Sequence, residues 1–130
     1  MQTTVDFLRH GEVEGGSYYR GSTDDPLTQH GWQQMHHAVN NRCWDLIISS
    51  PLQRCQAFAQ QLHEQINIPI YSLKNWQEID FGDWEGKSAD QIDSNELMSF
   101  YQDPINNTPN NAENLKFFLA RINIAWESLI

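Results

Sequence analysis

Positive charge is scarce in this sequence. Its 130 residues hold 8 Lys and Arg against 17 Asp and Glu, a formal net charge of −9. That balance repels polyanions and excludes nucleic acid and anionic membrane as general partners. It also makes each Arg informative, because an acidic chain that binds an anion must gather its few guanidinium groups in one place. Long apolar runs are absent as well: none approaches the roughly 18 residues of a membrane-spanning helix. The N-terminal stretch has no basic region leading into an apolar one, so no secretory signal is read and a cytoplasmic location is expected. Cysteine is limited to Cys43 and Cys55. Neither belongs to a Cys-x-x-Cys or Cys/His ligand pair, so free buried thiols are expected. His30, His36, His37 and His63 lack ligand spacing with a carboxylate; they read as surface or structural groups, and no metal or cofactor is expected. There is no internal repeat, low-complexity tract or interdomain linker. With 39% hydrophobic and 12% aromatic residues, residues 1–130 read as one globular domain.

Against that background one stretch stands out, Phe7-Leu8-Arg9-His10-Gly11-Glu12. A run of β-formers over residues 3–8 leads into it, and polar, glycine-rich sequence follows. This predicts a strand that ends at a loop, and in open α/β sheets ligands sit outside the carboxyl ends of strands. A guanidinium beside an imidazole suits a phosphate group. Arg offers a planar fork of donors to its oxygens, and a neutral His offers a lone pair to phosphorus. The plain alternative is a strand-end His that bonds backbone groups.

The rest of the chain alternates helix and strand. Residues 15–26 read as a long loop, of the kind that is usually functional or mobile. Thr28 reads as the cap of a helix over residues 29–42, with Trp32, Met35 and Val39 as its core face. Residues 45–49 form an apolar strand of the type buried in parallel sheets. Ser50-Pro51 then predicts a helix start, Ser as cap and Pro in the first helical position. Arg54 falls in that first turn, where the helix dipole disfavours a cation; an anion bound there would reconcile the two. A third strand is predicted over residues 68–73, which gives right-handed parallel crossovers. Glu78, Asp80, Asp83 and Glu85 follow, interleaved with Trp76, Phe81 and Trp84. A carboxyl desolvated by such neighbours favours its protonated form, as a general acid requires, and the four compete for that role. Residues 88–101 predict one or two short helices with Ser94 as a cap. Residues 112–130 predict an amphipathic helix.

Three segments in this order, Leu8-Arg9-His10-Gly11-Glu12, Ser49-Ser50-Pro51-Leu52-Gln53-Arg54-Cys55 and Glu78-Ile79-Asp80-Phe81-Gly82-Asp83-Trp84-Glu85-Gly86, resemble the histidine phosphatase (phosphoglycerate mutase-like) superfamily. The Asp80 to Gly86 stretch is most similar to its α-ribazole phosphatase branch, which acts in cobalamin synthesis. The resemblance implies a three-layer α/β/α fold with a mainly parallel sheet. It implies His10 as the phosphorylated nucleophile, Glu78 as the acid, Arg9 and Arg54 as phosphate-binding residues, and Arg20 and Gly21 as substrate contacts. It implies no metal, since guanidinium groups supply the charge stabilisation that Mg²⁺ supplies elsewhere.

Two departures from the family pattern matter. The family has an Asn near Gly16 that is missing here. Family members also continue past the last helix into a strand with a second catalytic His, which nothing after Trp126 supplies. The resemblance therefore implies a domain that lacks its C-terminal strands and self-associates through the exposed sheet edge. The expected function is hydrolysis of a small phosphorylated metabolite through a phosphohistidine, with α-ribazole 5′-phosphate favoured. The alternatives are a mutase-like phosphotransferase and a non-catalytic phosphate-binding remnant.

Overall fold

In a computed structural model that describes residues 1–130, the first helix begins where the sequence places it. Helix α1 spans Gln29–Val39, and the Thr28 hydroxyl accepts from the Gly31 amide 2.9 Å away. Thr is a good cap because it pairs one of the first-turn donors that the helix itself leaves unpaired. The helix stops short of Arg42, at Asn40 and Asn41. Asn41 takes a left-handed φ of 58°, a region Asn tolerates better than other side-chain-bearing residues.

Strands β1 (Ile47–Ser49) and β2 (Ile70–Ser72) pair in parallel, Ile47 opposite Ile70 and Ser49 opposite Ser72. Helix α2 (Gln53–Ile66) is the crossover between them, as a parallel pair requires. It starts at Gln53 rather than at Pro51, and Ser50 is not its cap residue. The Ser50 hydroxyl accepts from the Leu52 amide at 3.3 Å, while the Asp24 carboxylate accepts from the Gln53 amide at 2.7 Å. The pole expected to take an external anion is therefore occupied by a carboxylate of the chain itself, which the dipole equally favours.

Leu27, Met35, Phe58 and Leu62 form the buried core, with Trp32, Val39, Trp44 and Ile47 packed on it. This welds α1, α2 and β1 together. Phe58, 1% exposed, meets Trp32 and His36 at ring-centroid distances of 5.8 and 5.0 Å. Burying each such side chain contributes about 2–3 kcal/mol.

The expected strand over residues 3–8 does not form. No backbone group of residues 1–11 pairs with another backbone group, and Phe7 and Leu8 are 75% and 43% exposed. Two side-chain contacts set the course of the segment. Asp6 accepts from Trp44 Nε1 at 2.8 Å, and the Phe7 ring stacks on Trp126 at 5.9 Å. β-propensity expresses fit to a partnered, pleated surface; without a partner strand the exposed backbone is satisfied by water.

After β2 come three single 3₁₀ turns, Lys74–Trp76, Gly82–Trp84 and Ala89–Gln91. Helices α3 (Ser94–Gln102) and α4 (Leu115–Glu127) follow. Asp93, not Ser94, caps α3, its carboxylate accepting from the Asn95 and Glu96 amides. Asn114 caps α4 through the Lys116 amide, so that helix begins later than residue 112. Cys43 is exposed in the connection between α1 and β1 and Cys55 is half-buried, so neither is a fully buried thiol. No helix is long and apolar enough to cross a membrane.

Candidate active site

His10 is half-buried, and its Nδ1 lies 2.8 Å from the Gly11 carbonyl oxygen. A carbonyl only accepts, so in the neutral ring Nδ1 carries the proton and Nε2 presents its lone pair. Burial disfavours the imidazolium, and the charges of Arg54 and Arg9 act in the same sense. The Gly11 bond and the Glu78 carboxylate act against it, and the balance leaves the His10 pKa below the ordinary 6.5. In a pH profile of kcat/KM, the acid limb due to His10 is accordingly expected below pH 6.5. A limb above that value contradicts the assignment. As pH falls through 6.5 the unfolded chain binds a proton that the native imidazole resists, so His10 costs the fold stability below that pH and nothing above it.

The loop after His10 is fixed by two facing glycines. A Cβ on Gly11 would lie 2.2 Å from the Gly31 carbonyl oxygen, and one on Gly31 would lie 2.1 Å from that of Glu12. Only glycine allows the first turn of α1 to approach the loop so closely. Residues 14–26 are then closed at the neck by an antiparallel bridge between Val13 and Leu27 and by the Glu14 amide donating to the Pro26 carbonyl at 2.9 Å. They form a loop with joined ends, a common frame for functional sites.

Arg9 is exposed. With His10, Tyr18, Arg20 and His30 it lines an open cleft of about 730 Å³. Arg20, expected to touch substrate, chiefly braces the loop. Its Nε donates to Asp25 at 3.0 Å and its Nη2 to the carbonyls of Glu14 and Gly16. Its guanidinium also lies 4.0 Å from the centre of the Tyr18 ring. The Tyr18 hydroxyl donates to Asp25, and together with Arg20 it holds that carboxyl below the usual carboxylate range. Gly21, the other expected contact, is buried away from the cleft. Its amide donates to both oxygens of Glu85, and a Cβ there would lie 1.7 Å from the Ile79 carbonyl oxygen. His30 is exposed, as expected of a surface residue, and stands on the cleft wall, which the fold builds and no local pattern marks.

Arg54 is 2% exposed. Its Nη1 donates to the Thr23 carbonyl and its Nη2 to the Gly21 carbonyl, both at 2.8 Å. The two ion pairs of the chain are Arg20–Asp25 and Arg121–Glu113, so no carboxylate pairs with Arg54. A buried charge is costly unless it is paired. This one lies close enough to His10 to act on its protonation.

The geometry also separates the four competing carboxyls. Glu85 accepts from the Gly21, Thr23 and Phe81 amides and the Thr23 hydroxyl, so it holds by their amides the same two loop residues whose carbonyls Arg54 holds. Asp80 takes the Gly82 amide and the Ser22 hydroxyl, and Asp83 takes the Asn111 amide group. Glu78 accepts only from the adjacent Ile79 amide, and it alone of the four acts on His10. It is exposed, not desolvated among aromatics as the sequence suggested, because Trp84 turns into the protein at 4% exposure.

His10 is thus a half-buried imidazole on which the charges of two guanidinium groups and one carboxylate act; Arg9 shares its cleft, while Arg54 and Glu78 are not among the residues that line it. The profile of the histidine phosphatase superfamily (branch 1) matches residues 5–130. The chain belongs to that superfamily, and its parallel sheet with helices is of the phosphoglycerate mutase-like α/β type. Among its relatives, the adenosylcobalamin/alpha-ribazole phosphatase of Escherichia coli (strain K12) is 28% identical over 123 residues, covering 88% of this chain and 61% of that protein. The phosphatase PhoE of Bacillus subtilis (strain 168) is 33% identical over 94 residues, covering 68% of this chain and 49% of that one. The crystal structure of the alpha-ribazole phosphatase from Shigella flexneri superposes with a TM-score of 0.80 at 27% identity, covering 94% of this chain and 64% of that chain. The chain thus spans about half to two thirds of the length of these relatives.

Proposed function

We propose that this chain carries the phosphoryl-transfer site of a phosphomonoester hydrolase that works through a phosphohistidine, with α-ribazole 5′-phosphate as the favoured substrate. One observation carries the reading: a buried Arg54 with no carboxylate partner, whose charge acts on a His10 with a free Nε2. A phosphate supplies the counter-charge the protein does not. In the first step Nε2 attacks phosphorus, the bond from phosphorus to the ester oxygen breaks, and protonated Glu78 gives its proton to the departing oxygen. In the second, Glu78 takes a proton from water as the water attacks the phosphohistidine, which releases phosphate and restores His10. Arg9 and Arg54 stabilise charge on the oxygens that do not leave. Arg9 makes no bond within the chain, so its full fork is open to the ligand.

The substrate preference rests on the names of the Escherichia coli and Shigella flexneri relatives. It is tested by phosphate release from α-ribazole 5′-phosphate, from p-nitrophenyl phosphate, and from phosphoglycerate with a bisphosphorylated cofactor. Faster release from α-ribazole 5′-phosphate than from p-nitrophenyl phosphate supports the proposal. Transfer between phosphoglycerate carbons without net release favours the mutase reading. A folded chain that binds phosphate and releases none from any ester is a binding module.

The unpaired backbone of residues 1–11, with Phe7 and Leu8 exposed, supports a second proposal: the chain self-associates through this segment, which would pair as a strand in the associated state. Light scattering is expected to give a mass above that of one chain. A monodisperse monomer with a cooperative melt overturns it.

A further inference from the structure

We propose that Arg121, on α4, is a positioning residue that sets where Glu78 stands in the reaction. The inference rests on the acid role given to Glu78 above. All five N–H donors of Arg121 are engaged. Nε and Nη2 grip the two oxygens of Glu113 at 2.8 Å each. Nη1 donates to the Asn75 carbonyl at 3.0 Å and the Gln77 carbonyl at 2.7 Å. Nη2 also donates to the carbonyl of Glu78 itself at 3.2 Å. The guanidinium lies 4.9 Å from the centre of the Phe118 ring, one turn earlier on the same helix. Glu113 closes the frame from the other side, its amide donating to the Asp80 carbonyl at 2.9 Å.

Other bonds tie this segment at Gln77, Asp80 and Phe81, but at Glu78 the backbone carbonyl is held by Arg121. Residues 77–81 belong to no helix or strand, and the Glu78 side chain is exposed, bonded only to its neighbour's amide. A general acid must reach within hydrogen-bonding distance of the leaving oxygen, and a misplacement of about 1 Å can cost roughly 100-fold in rate. The backbone of Glu78 therefore needs an anchor, and a single planar guanidinium spanning three carbonyls and one carboxylate provides it. Lysine cannot do the same, because one ammonium has three donors and no fork.

The test compares substrates whose leaving groups differ in their need for an acid. Wild type, Arg121→Ala, Arg121→Lys, Glu78→Gln and the Glu78→Gln/Arg121→Lys double variant are assayed on an alkyl phosphate and on p-nitrophenyl phosphate. p-Nitrophenolate departs without a proton; an alkoxide does not. Glu78→Gln is expected to lose about 100-fold on the alkyl ester, in the range of general acid catalysis. The Arg121 variants are expected to lose about 10-fold on the alkyl ester and under about 3-fold on p-nitrophenyl phosphate. The double variant is expected to be no slower than Glu78→Gln, as coupled sites require. Equal losses on both esters, no loss on either, or additive losses in the double variant overturn the inference. Arg121→Lys keeps the charge and serves if the Ala variant melts too low to assay. If wild type hydrolyses neither ester, the proposed function falls and the placement of Glu78 is read directly. The ¹³C signal of its carboxyl is then expected to move in Arg121→Lys and to stay in a Lys116→Ala control; an unmoved signal in Arg121→Lys overturns the inference.

Discussion

Replacing His10 with alanine is expected to lower phosphate release by about 10⁴-fold or more, the scale on which covalent catalysis fails when its nucleophile is removed. That loss corresponds to roughly 5.5 kcal/mol of barrier. No other group can take over. The ring nitrogen with a lone pair free to attack is Nε2, because the Gly11 carbonyl holds the proton on Nδ1. The remaining wall residue of similar chemistry, His30, sits at the start of α1. The substitution leaves the core cluster of Leu27, Met35, Phe58 and Leu62 untouched, so the fold is expected to lose only about 1 kcal/mol for the single hydrogen bond. Steady-state assays beside a thermal melt separate the two effects. Residual release within about 10-fold of wild type contradicts the assignment of His10.

Arg54→Ala is expected to fail in two ways at once. It removes the buried donor to phosphate, which should cost about 10²–10³ in rate by analogy with the loss of one preorganised donor. It also leaves the Gly21 and Thr23 carbonyls without their partner, at a cost of about 2–4 kcal/mol in stability. Inorganic phosphate separates the effects. It should raise the melting temperature of wild type by mass action and leave that of Arg54→Ala unchanged. Arg54→Lys keeps the charge but not the fork, so it is expected to recover part of the phosphate shift and little of the rate. A phosphate shift as large in Arg54→Ala as in wild type contradicts the role given to Arg54.

What the sequence made legible was local. Thr28 capping α1, β1 and β2 as a parallel pair, and α2 between them all follow from cap residues, apolar runs and helical spacing. Where a distant group decides the outcome, local reading failed. Ser50-Pro51 looked like a helix start, but Asp24, from the long loop, pairs the first free amide of α2 and shifts its start to Gln53. Residues 3–8 have strand composition, yet a strand needs a neighbour, and none pairs with them. The site was legible in part. The three motifs singled out Arg9, His10, Arg54 and Glu78, and the structure places Arg9, Arg54 and Glu78 where their charges act on His10. Among the carboxyls, residue type could not separate Glu78 from Glu85. The difference lies in the amides and hydroxyl that Glu85 collects from residues 21–23 and 81. That Arg20 and Gly21 also brace the loop was not legible, because that role depends on the distant Asp25, Arg54 and Glu85. Arg121 carried no signal at all, since on a helical wheel it is one polar residue beside Phe118 and Ile122.

The central claim is that His10 itself becomes phosphorylated, and rapid quenching at alkaline pH with a labelled phosphomonoester tests it most directly. The expected result is a base-stable, acid-labile phosphoryl group on the peptide that contains His10, formed faster than phosphate is released and absent from His10→Ala. Turnover with no labelled peptide, or with the label on another residue, contradicts it.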